Sequence, residues 1–512
     1  MNQAGGQSGA TGSGGGAGGP RPELNLTSYF ARHHGEDAAI VTSDATVSQR
    51  QFWNDVGLWR ARLADAGVVA GDRVAILAGN KPAFISVHVA VMGMGAISVP
   101  LNCDSPLAEL IPQLKAVDPR AVFVGPRAEG VWGAVPAPFA DRRIDAEADV
   151  DPGSDPGLAA VTADTPALLI FTSGTAGTPK PAVLTHGNLL SSLQSVLSLP
   201  IDLVEVPHVF LAVIPLFHVF GIHMVVHLAL ITGAAVIVEE YGNAQNMMEL
   251  IRNHQPTVVA GPPALWQRMV AQGGQVVDFA SVRLAVSGAA ALPARLAVLV
   301  DDQLGLVLHD GYGLTESGAV AASTLGVDDP PLGSVGLLMP GVEARIVDTD
   351  GSDCLTGDPG ELWLRGPMIS PGYWGEGPEH SSRTVDGWLR TGDTAVADDD
   401  GFLAIVGRLK DLIIVSGFNV YPAEVEAALV THPAIAQVGV TGEPLDSTGE
   451  AVVAFVVPEA GTTIDDADLW AYCGERLARY KIPHRFVITD QLPLGPTGKL
   501  RRNRLVAGGR TG

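Results

Sequence analysis

The chain has 512 residues, too many for one core, and its length fits roughly two to four domains. With 46% hydrophobic and 17% charged residues it is globular rather than disordered, and a net charge of −23 excludes a nucleic-acid backbone as partner. Cys103, Cys354 and Cys473 lie far apart, form neither a disulfide framework nor a zinc pattern, and read as buried small apolar residues in a reducing, cytoplasmic setting.

Residues 1–22 are a Gly/Ser tail without a signal segment, and the G-x-G-x-x-G match over 14–19 has no strand before it and no helix after it. A helix is expected over 46–66, a strand over 72–79, a helix over 82–95 and a strand over 96–102. The apolar runs at 121–125 and 167–171 read as strands covered on both faces, so strands alternating with helices imply a mostly parallel, wrapped sheet. Residues 209–238 carry no Asp, Glu, Lys or Arg and imitate a membrane span. Pro215, Gly233, His218, His223 and His227 interrupt them and no basic cluster flanks them, so a strand over 209–214, a buried helix over 219–231 and a strand over 234–238 are expected. Beyond about residue 330, short strands at 344–348, 360–366 and 388–393 suggest a β-rich subdomain. After 407–411, helical patterns at 423–432 and 466–480 surround two strands, which reads as a small α+β domain. The expected fold is α/β: a large N-terminal domain of wrapped β-sheets with a β-rich subdomain over 23–408, and a small mobile α+β domain over 409–512, hinged near Lys410.

Five stretches carry chemistry. FTSGTAGTPKPAVLTHGN (171–188) sets Thr172, Ser173, Thr175 and Lys180 around Gly174 and Gly177. Strand followed by glycines, hydroxyls and one lysine is the composition of a phosphate cradle. It is not Walker A, because Thr178 and Pro179 separate the glycine from the lysine. HDGYGLTESG (309–318) places Tyr312 between Gly311 and Gly313, where an aromatic ring can stack on a base, and follows it with Thr315 and Glu316 for phosphate and Mg2+. WLRTGD (388–393) ends in Asp393, a carboxylate expected in a tight turn and able to accept from ribose hydroxyls. GRLKD (407–411) is a charged turn, and LGPTGKLRR (494–502) puts Lys499 in a Gly/Pro-rich loop.

In this order and at these spacings, TSGT-x-G-x-PK, YG-x-TE, TGD, GR-x-KD and PTGK resemble the acyl-adenylate-forming superfamily of acyl- and aryl-CoA synthetases, adenylation domains and luciferases, over about Leu26 to Leu505. The resemblance implies ATP, Mg2+ and coenzyme A as cofactors and a small-molecule carboxylic acid as substrate. The acid is joined to ATP as acyl-AMP with release of pyrophosphate, then passed to a thiol. A carboxylate nearing the α-phosphate at ~4 Å, with an effective dielectric of ~20, is repelled by about 4 kcal/mol per unit pair, which cations must offset.

By resemblance, Thr172, Ser173, Gly174, Thr175, Gly177 and Lys180 hold the β- and γ-phosphates, and Gly288, Ala289 and Ala290 contact adenine. Gly311, Tyr312 and Gly313 flank the base, Thr315 touches phosphate, and Glu316 ligates the metal. Asp393 binds ribose, Arg408 reaches the ribose–phosphate region, and Lys499 bridges the acid carboxylate and the α-phosphate. The small domain turns about Lys410, bringing Ser416, Gly417 and Phe418 to a coenzyme A channel. Ala176 and Pro181 depart from the family's usual threonine and glycine. PLFHVFG (215–221) resembles the acyl-pocket segment, with His218 as its guard, and VAGPPALW (259–266) the opposite wall. Neither segment contains an arginine, so an apolar monocarboxylate is expected over a dicarboxylate such as malonate, a fatty acid first and an aryl acid second. A ligase loading a separate carrier protein is the alternative, although the chain ends shortly after Lys499 with no fused carrier. A non-catalytic binder is disfavoured by Glu316, Asp393 and Lys499, and a light-emitting oxygenase has no supporting feature. No membrane span is expected. Peripheral membrane association and the choice between monomer and homodimer stay open.

Overall fold

The computed structural model describes residues 24–145, 154–172, 180–204, 206–240, 244–375, 384–416, 418–445, 448–494 and 500–505. The tail, Ser173, Gly174, Thr175, Ala176 and Gly177 of the glycine-rich loop, Gly417 and Lys499 lie outside these residues.

Two sheets form the large part. The six-stranded sheet has the order Arg143–Asp145, Ala121–Val124, Arg73–Leu77, Ile97–Leu101, Pro166–Thr172, Lys180–Thr185, parallel except for its last pair. Its inner strands are mostly apolar because both faces are covered; every position of Ile97–Leu101 and Ala121–Val124 is buried, Ser98 included. The nine-stranded sheet contains six mutually parallel strands, Ala38–Val41, Ala235–Val238, Val209–Ala212, Val258–Gly261, Leu284–Ser287 and Leu308–Tyr312, with short antiparallel strands at each edge. One edge strand, Thr46–Ser48, occupies residues expected to be helical. The helix starts at Gln49 because Ser48 and Gln51 exchange side-chain to backbone hydrogen bonds, a reciprocal cap that fixes the boundary.

The apolar stretch 209–238 folds as strand Val209–Ala212, a π-helix Phe220–His227, an α-helical turn Leu228–Thr232 closed by Gly233 at φ 72°, and strand Ala235–Val238. Among the described residues no helix is long and apolar enough to cross a membrane. The β-rich part is a five-stranded antiparallel sheet built on Glu343–Val347, Gly360–Arg365, Trp388–Ala397 and Leu403–Arg408, with the short strand Thr384–Val385.

After the turn Leu409–Asp411 comes another five-stranded sheet, in which Ile435–Leu445 and Gly449–Pro458 form the long hairpin. Its core, including Ile413, Val425, Val440, Ala454 and Phe486, is separate from the apolar clusters of the two large sheets. The helical pattern at 466–480 is shorter than expected: the helix ends at Gly474, and Arg479–Lys481 form a separate 3-10 turn. Cys103 and Cys473 are buried as expected, while Cys354 is half-buried.

Candidate active site

The carboxyl ends of parallel strands are the usual place for a ligand in an open α/β sheet, and Gly288 to Ala290 follow one such strand while Gly311 and Tyr312 end the next. Strand Leu284–Ser287 runs into Gly288 and Ala289, the latter at φ 68°, a left-handed conformation uncommon outside glycine. Ser287 is fully buried, and its Oγ has no hydrogen-bond partner. Across the next strand its register partner is Asp310, whose carboxyl is pushed up to about 7 by burial, against backbone N–H bonds from Gly311 and Leu292. Gly313 is obligatory for a packing reason: a Cβ there would lie 2.0 Å from the carbonyl oxygen of Ala319.

Three predicted residues meet directly. The Tyr312 hydroxyl donates to Asp393 Oδ2 at 2.7 Å, and Arg408 Nε lies 2.9 Å from Asp393 Oδ1. Asp393 and Arg408 are register partners on adjacent antiparallel strands, which fixes their approach. The Asp393 side chain is 3% exposed. Burial, then the neighbouring carboxylate, raises the Tyr312 phenol well above its ordinary range, so it stays a neutral donor. Asp393 does not sit in a tight turn as expected. It lies inside the ten-residue strand Trp388–Ala397, next to Gly392 at φ 69° and a register shift after Thr394. The Gly-Asp pair marks a bulged strand here, which re-aims the carboxylate towards Tyr312.

A second group forms at the mouth of the glycine-rich loop. Thr172 and Lys180 face each other in register, and Thr172 Oγ1 donates to the Lys180 carbonyl at 3.2 Å. Lys180 Nζ stands 5.9 Å from the centroid of the Tyr373 ring, and the Tyr373 hydroxyl donates to Glu316 Oε1. Glu316 is buried in the 3-10 turn Thr315–Ser317, and its own carbonyl accepts from Ser370 N–H at 2.7 Å. Pro181 contributes its carbonyl to Trp374 N–H at 2.8 Å, which joins the strand after the loop to residues 370–374. Tyr373 was not singled out in the sequence; only the fold brings it to Glu316, 57 residues away in the chain. A buried carboxylate beside a threonine offers the hard oxygen donors that Mg2+ takes, so Glu316 and Thr315 fit that ion. The orphaned Ser287 hydroxyl and the open backbone at Ala289 fit a bound nucleotide.

A third group is apolar. A Cβ on Gly288 would meet the Phe220 ring at 3.3 Å and the Gly311 carbonyl at 3.9 Å, so Phe220 packs against the turn that follows strand Leu284–Ser287, next to the end of strand Leu308–Tyr312. His218 is half-buried, and its N–H bonds the Pro215 carbonyl at 3.0 Å. Asn80 fixes this segment from beneath. Its amide donates to the carbonyls of Ala212, Ile214 and Glu239, and its oxygen accepts from Leu216 N–H at 3.0 Å.

Ser416 and Phe418 belong to the sheet beyond the hinge. Ser416 is exposed at φ 51°, and the exposed Phe418 ring stacks on Tyr480 at 4.8 Å. Lys410 is exposed in the turn Leu409–Asp411.

Comparison with known proteins supports the same class. The family model "AMP-binding enzyme" matches residues 28–374, and "AMP-binding enzyme C-terminal domain" matches residues 424–499. A feruloyl-CoA synthase of Amycolatopsis sp is 36% identical over 87% of this chain and 91% of its own. A long-chain-fatty-acid–CoA ligase of Bacillus subtilis is 35% identical over 66% of this chain and 61% of its own. The crystal structure of ATP-bound MatB from Rhodopseudomonas palustris superposes with a TM-score of 0.85 at 27% identity, covering 94% of this chain and 98% of that one. The chain belongs to the AMP-binding enzyme family, within the acyl-adenylate-forming superfamily. It is an AMP-forming acid–thiol ligase of the acyl/aryl-CoA type, and ATP, Mg2+ and coenzyme A are its cofactors.

Proposed function

We propose that this enzyme activates an apolar monocarboxylic acid as acyl-AMP and transfers the acyl group to coenzyme A. The observation that carries the reading is the meeting of Tyr312, Asp393 and Arg408 from three strands, beside Glu316, Tyr373 and Lys180. In this reading Asp393 accepts from ribose hydroxyls and Arg408 neutralises charge at the ribose–phosphate edge. Thr172 and Lys180 hold the departing pyrophosphate together with Ser173, Gly174, Thr175 and Gly177. Thr315 touches phosphate, Glu316 supplies the metal-facing carboxylate, and Lys499 bridges acid and α-phosphate. Gly288, Ala289, Ala290, Gly311 and Gly313 frame the base. The cytoplasm is the proposed setting, in keeping with three free cysteines.

The substrate class follows from the wall around Phe220. Phe220 and Gly288 present a flat ring and a bare backbone, neither of which can pair with a second carboxylate. The flat ring favours an aryl acid over the fatty acid expected from the sequence, and the aryl-named relative matched along most of its length supports that order. A pyrophosphate-release screen with aryl acids, fatty acids of graded length and a dicarboxylate tests this. Aryl acids are expected to give the highest kcat/KM; a dicarboxylate giving the highest value would overturn the apolar reading.

The domain boundary proposed at 408/409 makes the turn Leu409–Asp411 the pivot. Lys410 is exposed, and the turn's cap bond runs from Leu412 N–H to the Leu409 carbonyl, so proline at 410 removes no bond of this cap. Lys410→Pro is expected to slow thioester formation from supplied acyl-adenylate by about tenfold while leaving acid-dependent pyrophosphate release within about twofold. Equal slowing of both steps would remove the hinge assignment.

A further inference from the structure

Behind the Phe220 wall lies a chain of imidazoles that the proposed chemistry does not use. Ser98 Oγ is 2.7 Å from His88 Nδ1, His88 Nε2 is 2.7 Å from His227 Nε2, and His227 Nδ1 is 2.9 Å from His223 Nδ1. All three rings are fully buried, and the last nitrogen, His223 Nε2, has no partner. Burial holds all three rings far below the usual imidazole range, so each is neutral and carries one N–H. Each link needs one donor and one acceptor, so the protons must all point the same way along the chain. One sense leaves a buried N–H on His223 without an acceptor; the other leaves a lone pair there and requires another acceptor for the buried Ser98 O–H. In either sense the serine hydroxyl and the three rings form one continuous hydrogen-bonded chain.

His223 and His227 sit in the π-helix Phe220–His227, where Leu228 N–H reaches back to the His223 carbonyl, a five-residue span. Such a wide turn is rare and persists only where something holds it. Its front is fixed by close packing: a Cβ on Gly221 would lie 2.7 Å from the Pro215 carbonyl. Its back is held by the imidazole chain, which ties it to helix Pro82–Gly93 and strand Ile97–Leu101. Relaxation to an α-helix would turn residues on one side of the bulge by about 100° against the other and draw the Phe220 ring away from Gly288.

We propose that the Ser98–His88–His227–His223 chain is a positioning device that holds the π-helix open and thereby sets which acids fit against Phe220. The inference rests on the reading that this wall borders the acid. Acid and ATP KM values, acid preference and thermal midpoints are to be compared for wild type, His227→Leu and His223→Asn. His227→Leu cuts the chain, and acid KM is expected to rise about tenfold with a changed preference among acids, while ATP KM stays within about twofold. His223→Asn keeps an amide nitrogen near the Nδ1 position, and acid KM is expected to stay within about threefold of wild type. Variants that lose thermal stability with acid KM and preference unchanged would overturn the proposal, as would His223→Asn matching His227→Leu in acid KM. Should His227→Leu fail to fold, Ser98→Ala removes only the terminal hydroxyl. It is expected to raise acid KM about threefold at constant ATP KM, and an unchanged acid KM would overturn the proposal. A wild-type enzyme that releases pyrophosphate with no acid would instead refute the functional reading itself.

Discussion

Asp393→Ala is expected to lower kcat/KM for ATP by about 10²- to 10³-fold, at roughly 1.5–3 kcal/mol for each charge-assisted hydrogen bond lost to the ribose. The same substitution has a structural cost. It leaves the buried Tyr312 hydroxyl without its acceptor and Arg408 without its ion-pair partner. An orphaned buried donor costs about 1–3 kcal/mol, so the thermal midpoint should also fall. The two effects separate with Asp393→Asn. The amide oxygen still accepts from Tyr312 and restores most of the midpoint, but it lacks the charge that holds Arg408 and strengthens bonds to the ribose hydroxyls. ATP–pyrophosphate exchange should then remain at least about tenfold below wild type. An alanine variant with a lowered midpoint but unchanged ATP KM would reduce Asp393 to a structural role.

That prediction joins residues 81 positions apart, and it shows which parts of the site the sequence discloses. Asp393, Tyr312 and Arg408 are each visible as motif letters because their chemistry resides in residue type and local spacing. Their mutual contact is a property of strand register, which no local pattern carries. The sequence points Asp393 to a turn because glycine followed by aspartate is the local signal of a turn, and a bulged strand uses the same pair. The buried strands were legible, since both-face burial writes itself as the unbroken apolar runs at 121–125 and 167–171. The helix at 220–227 was legible as a helix but not as a π-helix, because hydrophobic periodicity does not separate a four-residue hydrogen bond from a five-residue one. His88 and His227 stand 139 positions apart, and Tyr373 reaches Glu316 through the bridging of residues 370–374 to Glu316 and to the strand after the glycine-rich loop. Such contacts exist only once the sheets are assembled.

Buried imidazoles also dictate how the fold responds to acid. Moving from about pH 7.5 to about pH 5.5 is expected to cost the folded chain about 3–4 kcal/mol. His88 is pushed down to about 3, His186 to about 4, His223 to about 3, and His227 well below 6.5, in each case first by burial. The other contributions come from neighbouring rings alone: His223 acts on His88, and His88, His223 and His186 act on His227. In the unfolded chain these rings take up protons near pH 6.5, while in the fold they stay neutral. The unfolded state therefore binds more protons below about pH 6.5, and stability falls as pH falls through that window. One ring costs about 1.4 kcal/mol for each pH unit below its unfolded pKa, so four cost about 5–6 kcal/mol at about pH 5.5. Asp310 acts in the opposite sense. Its raised carboxyl is protonated in the fold below about 7 while the unfolded carboxyl stays ionised down to 3.8, which returns about 2 kcal/mol over the same interval. Ion-paired carboxylates such as Asp155 beside Arg60 sit below 3.8 and begin to matter only at lower pH. The net loss is a large share of the roughly 5–15 kcal/mol that holds a typical domain. Urea unfolding at the two pH values reads it directly, and equal stability at both would contradict the neutral, buried imidazole chain. His223→Asn removes one of these proton-binding differences and is expected to shrink the drop by about 1.4 kcal/mol. An undiminished drop in that variant would mean that the acid sensitivity originates elsewhere in the fold.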